Sequence, residues 1–223
     1  GDMANMPSIV KIAKKFNLKV IEDSSEALGV FLKKKHAGTF GNVGVLSFNG
    51  NKIITTGGGG AILTDNKFLA KKSRYYASVC KKPHKWDFQH LERGNNYLMP
   101  SLNAALGCSQ LKKIKLLIKK KKKINKLYLN YFSKYKKFLV LKKTSTSIKS
   151  NYWLNALILN SSTIKQRDKI LNYLNDKGIQ VRPVWRLMHQ LPMYKNCPKD
   201  NLDNSINLQS RIILIPSSPS LII

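Results

Sequence analysis

A single lysine stands in a glycine-rich stretch of the sequence where a reactive amine could be used. Lys52 lies within SFNGNKIITTGGGG, residues 47–60, between two segments that read as β-strands. A surface lysine is the ordinary interpretation, but few other charges accompany this one. A Walker-type phosphate loop would need the lysine after the glycines and a helix behind it, which the sequence does not offer. The remaining interpretation is an amine that forms an imine with an aldehyde cofactor.

Such chemistry needs companion groups, and two stand nearby in the sequence. Asp23 ends the predicted strand VIED, and open α/β sheets place ligands at the carboxyl ends of their strands. A carboxylate there could keep a pyridine nitrogen protonated, which is how pyridoxal phosphate is made an electron sink. Ser47 could donate its hydroxyl to the cofactor phosphate. Each signal is weak alone, because a strand-end aspartate is more often a turn former.

The elements that must position these residues alternate between helix and strand. Apolar residues recur at helical spacing after Pro7, and LKVIED, residues 18–23, then reads as a short buried strand. GVLSF and GAILTD, residues 44–48 and 60–65, predict strands on either side of Lys52. A helix is predicted from about Lys67 to Val79. The pattern indicates an α/β layer.

The second half of the chain predicts a long helix and a smaller α+β domain. The helix runs from Ser101 to about residue 132, with its lysine run, residues 119–123, on the solvated face. The polar residues 142–151 predict a turn or short linker. Beyond them we expect a strand at 153–159, a helix with a capping box from Thr163 to Gln166 and a stop at Gly178, and a strand at 179–184. The predicted domains are residues 1–100 and 101–223. The apolar stripe expected along the long helix consists of Leu111, Ile114, Leu117, Ile118, Leu127 and Tyr131.

The composition is strongly basic. Lys+Arg total 40 against 11 Asp+Glu, a net charge of +29; six of the 40 are arginines, which leaves 34 lysines. Because arginine is the residue that reads phosphates and bases bidentately, lysine excess favours an organism-wide bias over nucleic-acid or polyanion binding, which stays open as the alternative. Three dispersed cysteines and four dispersed histidines predict neither disulfides nor a metal site, and a reducing cytoplasm fits them. No apolar run reaches membrane-spanning length.

Three separated stretches carry a resemblance to a known family. VIEDSSEALG, HAGTFGNVGVLSFNGNKIITTGGGGAILTD and GNNYLMPSLNAALGCSQL occur in this order and resemble the DegT/DnrJ/EryC/StrS family of sugar-nucleotide aminotransferases, pyridoxal phosphate enzymes of fold type I. RPVWRLMHQLPMY resembles the same family's C-terminal domain. The resemblance implies the C-terminal part of such an α/β enzyme, with an incomplete three-layer α/β/α large domain and a smaller α+β C-terminal domain.

The resemblance also implies roles for individual residues. Lys52 matches the family's Schiff-base lysine, which also shuttles the proton during amino transfer. Asp23 matches the carboxylate on the pyridinium nitrogen, Glu26 a position near the cofactor ring, and Ser47 a phosphate ligand. Asn96 matches an asparagine that reaches the phosphate from the neighbouring subunit, so a homodimer with shared sites is implied. Because related dehydratases carry histidine in place of the lysine, Lys52 favours aminotransfer.

Substrate and completeness are further expectations from the resemblance. The glycine-rich motif looks most like members that aminate C4 of UDP-linked 4-keto-6-deoxy-N-acetylhexosamines, with glutamate as amino donor, in bacillosamine or legionaminic acid synthesis. His189 has either a substrate-side or a helix-packing role. Gly58 and Leu98 depart from the family pattern, which has glutamate and a basic residue there. The family's N-terminal phosphate loop and ring-stacking aromatic have no match, so we expect a fragment of a longer enzyme.

Overall fold

The computed structural model describes residues 1–222, which form two compact units. The first unit contains residues 1–118 and 145–153, and the second contains residues 119–144 and the chain from Leu154 onward. The chain therefore passes between the two units three times. The domain boundary predicted after residue 100 stays a prediction.

The first unit is built around a mixed three-stranded sheet in the order β1-β4-β5. Strands β1 and β4 are parallel, and β4 and β5 are antiparallel. The sequence predicted these three strands and helices α1 and α2, although the observed elements are shorter. The elements of this unit are α1 (Met6–Lys15), β1 (Ile21–Asp23), β2 (Phe31–Leu32), β3 (Lys35–His36), β4 (Val43–Ser47), β5 (Gly60–Leu63), α2 (Lys67–Ala77), the first part of α3 (Ser101–Phe132), and β7 (Ile148–Lys149).

The sheet of the first unit has one buried face and one open face. Leu46 is buried on one face, whereas Ile21 and Ile62 on the other are 71% and 54% exposed. Residues 18–23 were predicted to form a buried strand, and this prediction is wrong for Ile21, whose side chain is exposed. Successive residues of a strand point to opposite faces, so the side chain of β1 that enters the interior is Glu22.

Glu22 is buried because its carboxylate has backbone partners. One oxygen accepts from the amide of Gly38 at 2.8 Å, and the other accepts from the amides of Phe40 and Gly41 at 2.5 Å. These bonds replace the hydrogen bonds to water that the carboxylate loses on burial. They hold the loop between β3 and β4 against β1.

The polar stretch at residues 142–151 is more than a linker. It contains β7, which pairs antiparallel with β2 in a second small sheet of the order β3-β2-β7. Ile148 packs against a small buried cluster in the first unit, formed by Ala27, Val30 and Ala37. The composition of this stretch predicts a turn, but its one apolar side chain and its strand pairing return the chain to the first unit.

The second unit is a four-stranded sheet in the order β6-β8-β10-β9, with antiparallel neighbours. Its strands are β6 (Leu139–Leu141), β8 (Asn155–Leu159), β9 (Arg182–Pro183) and β10 (Ile212–Ile215), and its helices, besides the second part of α3, are α4 (Arg167–Asp176) and α5 (Asp203–Arg211). The buried core consists of Leu141, Leu157, Leu159, Leu171, Val181, Ile213 and Ile215.

The capping box predicted for α4 does not form. Residues Ser161–Gln166 make a 3₁₀ turn, and α4 starts only at Arg167. The Thr163 hydroxyl donates to the carbonyls of Phe138 at 2.7 Å and Asn160 at 3.0 Å instead of capping the helix. The stop at Gly178 is confirmed, with a φ of 75° just after the helix.

The lysine run of α3 is not entirely on a solvated face. Lys121 is 5% exposed and, with Ile124, is one of the two buried residues of this helix. Its Nζ donates to the carbonyl of Ser217, which gives the buried amine a polar partner. Members of the predicted apolar stripe such as Leu111 and Leu127 are about half exposed, at 51% and 54%.

Candidate functional site

Lys52 sits in a loop, residues 48–59, whose two ends are held together. The Phe48 amide donates to the carbonyl of Gly59, and the Thr56 amide donates to the carbonyl of Phe48, both at 2.9 Å. Two side chains of α3 tie the loop down: Gln110 accepts from the amide of Thr55 at 3.0 Å, and Asn103 donates to the carbonyl of Thr56 at 2.5 Å. The lysine is therefore presented by a braced turn between β4 and β5.

The amine of Lys52 lies between a carboxylate and an aromatic ring. Its Nζ donates to Oε1 of Glu26 and lies 4.8 Å from the centroid of the Trp153 ring. The side chain is only 12% exposed, whereas that of Glu26 is 37% exposed. A largely covered amine with one carboxylate partner differs from the freely hydrated lysines that make up most of the basic surface.

Asp23 lies at the end of β1 on the open face of the sheet. It is in register with Val45 of β4. Its Oδ1 accepts two hydrogen bonds from Ser25, one from the hydroxyl at 2.5 Å and one from the amide at 3.1 Å. These bonds lower the pKa of the Asp23 carboxyl, and the charge of Lys52 lowers that pKa further. The site therefore holds an ionised carboxylate within electrostatic reach of the amine.

Ser47 is the last residue of β4 and shares the open face with Asp23. It follows Val45 by two positions, and residues two apart in a strand point to the same face. Its hydroxyl oxygen accepts weakly from the amide of Asn49 at 3.4 Å. The structure thus brings Lys52, Glu26 and Asp23 together and aligns Ser47 with Asp23.

The other two predicted site residues, Asn96 and His189, belong to different units. Asn96 is exposed and forms an isolated antiparallel bridge with Ser78 after α2; within residues 1–222, no hydrogen bond or ion pair joins it to Lys52. His189 belongs to the second unit, where it lines a pocket of about 390 Å³ together with Tyr194, Cys197 and Asp200. Neither observation tests the role that the resemblance implies.

Sequence reasoning missed the segment Ser150–Trp153, which we call the SNYW segment. The side chain of Asn151 is fully buried and donates to the carbonyls of Glu26 and Leu28, both at 2.9 Å. Trp153 donates its indole N–H to the carbonyl of Asn51 at 2.7 Å. No spacing rule links residues 102 positions apart. The only local signal is an aromatic pair before a strand.

Two other classes of site find no support in the part of the chain that the structure describes. Among residues 1–222, no group of three or more histidine, cysteine, aspartate or glutamate side chains is placed to hold a metal ion. Over the same residues, no helix combines the length and apolar character needed to cross a bilayer. The three cysteines are free thiols, with Cys80 buried and Cys108 and Cys197 exposed.

Comparison with known proteins gives a family match along nearly the whole chain. The family model of the DegT/DnrJ/EryC1/StrS aminotransferases matches residues 1–222. A GDP-perosamine synthase of Escherichia coli is 34% identical over 221 residues, which cover 99% of this chain and 59% of that protein. A UDP-4-amino-4,6-dideoxy-N-acetyl-beta-L-altrosamine transaminase of Campylobacter jejuni is 31% identical over 219 residues, 97% of this chain and 58% of the relative.

The fold agrees with the sequence comparison. The solved structure of Helicobacter pylori PseC, an aminotransferase involved in the biosynthesis of pseudoaminic acid, superposes with a TM-score of 0.91 at 26% identity, covering 99% of this chain and 60% of that one. The predicted fold class, that of a fold type I aminotransferase, is confirmed over the part of the fold that this chain covers. The chain spans 59% and 58% of the length of the two curated relatives.

Proposed function

Because the chain belongs to the DegT/DnrJ/EryC1/StrS aminotransferase family, we propose that it takes part in pyridoxal phosphate-dependent transfer of an amino group to a nucleotide-linked keto sugar. The observation that carries the proposal is the amine of Lys52. It is 12% exposed, pairs with Glu26, and lies close enough to the Asp23 carboxylate to lower that group's pKa. The motif that resembles the family and the surroundings of this amine therefore favour the same one of the 34 lysines.

Lys52 and Glu26, together with Asp23 and Ser47 on the open sheet face, fit the cofactor in chemical type. Lys52 offers a primary amine for covalent attachment and for carrying a proton, and Asp23 offers an ionised carboxylate for the ring nitrogen. Ser47 offers a hydroxyl for the phosphate, and Glu26 holds the lysine amine in place. Bound pyridoxal phosphate would supply the electron sink that amino transfer needs. The chain's own residues would orient it and move the proton.

We propose a nucleotide-linked sugar as the substrate. Relatives of similar identity act on sugars linked to different nucleotides, GDP in the perosamine synthase and UDP in the altrosamine transaminase. Identity therefore supports a nucleotide sugar without deciding the base. We favour a UDP-linked 4-keto-6-deoxy sugar, with glutamate as amino donor, because the motif around Lys52 resembles that group. His189 is the candidate residue on the substrate side.

Asn96 is the residue through which a second subunit would contribute to the site. It is exposed and follows the helix–loop connection after α2, so its amide is available to another chain. We propose a homodimer in which Asn96 of one copy reaches the cofactor phosphate in the other. An Asn96→Ala variant that keeps the dimer but binds cofactor at least tenfold more weakly would support this assignment.

The experiment that tests the function traps the cofactor on its lysine. A protein of full family length that contains these residues is incubated with pyridoxal phosphate, reduced with borohydride and mapped by peptide mass spectrometry. We expect the modification to concentrate on Lys52 and to be lost in Lys52→Ala, while the exposed-lysine control Lys34→Ala behaves as wild type. Modification spread over many lysines with no preference for Lys52 would overturn the assignment.

The amino-transfer step needs a separate assay. It is measured with glutamate and a UDP-linked 4-keto-6-deoxy sugar, in a protein that also carries the part of the family's length that these 223 residues do not span. Lys52→Ala should abolish turnover, because both the attachment point and the proton carrier are lost. Turnover with a GDP-linked but not a UDP-linked sugar would support the proposed reaction and show that the proposed nucleotide is wrong.

A further inference from the structure

The SNYW segment places two supports on Lys52 from a distant part of the chain. Lys52 has Glu26 on one side and the ring of Trp153 on another. Asn51, the residue before the lysine, receives the indole N–H of Trp153 through its carbonyl. The tryptophan therefore contacts both the lysine side chain and the backbone that carries it.

The tryptophan is itself fixed by a fully buried asparagine. The backbone amide of Trp153 donates to Oδ1 of Asn151 at 2.9 Å, and Nδ2 of Asn151 donates to the carbonyls of Glu26 and Leu28. Between them Tyr152 takes a φ of 54°, the left-handed region that a non-glycine residue rarely adopts. The side chain of Asn151 thus links the backbone of Glu26, which pairs with Lys52, to the backbone of Trp153, whose ring lies near the Lys52 amine.

We propose that Trp153 is a positioning residue for Lys52, and that Asn151 sets Trp153 and Glu26 in register with each other. The proposal rests on the assigned role of Lys52 as the amine that binds the cofactor. The ring covers one side of Nζ and Glu26 contacts it as well, which leaves the Lys52 side chain 12% exposed to water and electrophiles. The indole N–H fixes the lysine's turn, so the direction of the amine is set before any ligand arrives.

A purely structural role makes a different prediction. If the SNYW segment only ties loops together, its loss should lower stability and leave the chemical reactivity of Lys52 in the folded protein unchanged. If Trp153 covers the amine, removing the ring should change the reactivity of that one lysine. The other lysines of the chain serve as internal references in the same sample.

The test is competitive acylation of a folded protein of full family length that contains these residues, followed by peptide mass spectrometry, with no cofactor or substrate present. In Trp153→Leu we expect Lys52 to be acylated about fivefold faster relative to the other lysines, the size of change expected for losing a cation–π contact at a partly exposed site. Trp153→Phe keeps a ring but loses the N–H bond to Asn51, so it should fall between wild type and Trp153→Leu. Trp86→Leu, at a tryptophan that is 77% exposed, is the matched control and should leave Lys52 unchanged.

The outcomes separate this inference from the proposed function. Relative acylation of Lys52 that changes by less than twofold in both Trp153 variants would overturn the positioning role, even if borohydride trapping places the cofactor on Lys52. A selective change at Lys52 without cofactor trapping would support the positioning role and count against the cofactor assignment. Should Trp153→Leu fail to fold, the decision rests on Trp153→Phe, which preserves most of the ring's volume.

Discussion

The pKa of Asp23 is lowered mainly by hydrogen bonds from Ser25, a neighbour in the sequence. Its carboxylate is exposed, and the largest cause of its lowered pKa is the hydrogen bond from the Ser25 hydroxyl, followed by that from the Ser25 amide. Because the folded-state pKa lies below the ordinary value of 3.8, the associated stability is present above that pH and is lost as the pH falls. The carboxylate is therefore available as an anion across the neutral range.

Replacing Ser25 should raise the pKa of Asp23. In Ser25→Ala the hydroxyl donor is lost while the amide donor remains, so we expect the titration midpoint of the Asp23 carboxyl to move up toward its ordinary value. The midpoint is followed by NMR of the labelled side chain. Ser8→Ala, at an exposed serine of α1, is the control. An unchanged midpoint in Ser25→Ala would show that another group holds the charge.

Asp23→Asn tests the role of that charge in the proposed reaction. The amide keeps the shape but cannot stabilise a protonated ring nitrogen, so we expect cofactor still to bind while turnover falls by orders of magnitude. Binding is measured by absorbance titration and turnover by the amino-transfer assay in a protein of full family length. Near-normal turnover would exclude the proposed role of Asp23.

At the scale of elements, the glycine run after Lys52 divides into positions that need glycine and one that does not. Gly57 and Gly59 have φ values of 81° and 87°, and a Cβ on Gly59 would lie 3.1 Å from Cε of Met99. Gly58 has no such φ, and a Cβ there would meet nothing within 4 Å. The family's usual glutamate at position 58 is therefore compatible with this loop.

We expect Gly57→Ala and Gly59→Ala each to lower the free energy of unfolding by about 1 to 2 kcal/mol, the cost of a side chain in the left-handed region. Gly58→Ala, the matched control in the same loop, should change it by less than about 0.5 kcal/mol. Denaturant unfolding measures all three. Equal losses at the three positions would show that the loop's conformation differs from the one described.

The long helix α3 holds the last segment of the chain through side-chain donors. Lys121 donates to the carbonyl of Ser217, Tyr128 to that of Pro216 at 3.1 Å, and Lys120 to that of Ile222 at 3.0 Å. Burial lowers the pKa of Lys121 to about 8 from 10.5. The folded state thus binds fewer protons than the unfolded state between these two values.

This proton difference makes stability rise with pH. Between about pH 8 and 10.5, Lys121 is mostly charged in the unfolded chain and mostly neutral in the folded protein. Raising the pH through this range removes a charge that favours the unfolded chain, so the free energy of unfolding increases by at most roughly 3 kcal/mol. Lys121→Met should show a weaker rise than wild type over this range, whereas Lys122→Met, at an exposed neighbour, should follow wild type. Unfolding free energies measured at several pH values decide the matter; identical slopes for all three proteins would contradict the prediction.

Local patterns predicted the elements better than they predicted what each element buries. Strands β4 and β5 and helices α1 and α2 follow from apolar spacing and flanking turn residues. The buried roles of Glu22 and Lys121 do not, because each depends on backbone partners supplied by another segment. Of the candidate site, Lys52, Glu26 and Asp23 were predicted from motifs, and the structure brings them together; their roles in binding the cofactor stay predictions. Asn151 and Trp153 escaped notice because their contacts join residues 125 and 102 positions apart.

At the scale of the molecule, the open face of the β1-β4-β5 sheet carries exposed apolar side chains beside Asp23 and Ser47. Ile21 and Ile62 are exposed there, and within residues 1–222 each of β1 and β5 pairs with β4 alone, so both are edge strands. Exposed apolar faces with open edges favour association. We therefore expect the 223 residues by themselves to be prone to aggregation. A cooperative melt of these residues, with no light scattering at the same concentration, would contradict this expectation.

Substitutions on the open face should reduce aggregation without loss of stability. We expect the double variant Ile21→Thr with Ile62→Thr to scatter less light at a given concentration, because both side chains gain a hydroxyl where they are already hydrated. Its free energy of unfolding should stay within about 1 kcal/mol of wild type. Ile213→Thr, at a fully buried position of the second unit, should instead cost about 2 kcal/mol or more.

The return of residues 145–153 to the first unit has a consequence for synthesis on the ribosome. Lys52 and its loop leave the ribosome long before Trp153, which lies 102 positions after Asn51. At roughly 5 to 20 residues per second, that separation corresponds to a delay of about 5 to 20 s. During this interval the amine has neither its aromatic cover nor the buried asparagine that aligns its carboxylate partner. The nascent chain therefore carries an unfinished site, and early cofactor capture would meet a lysine whose direction is not yet set.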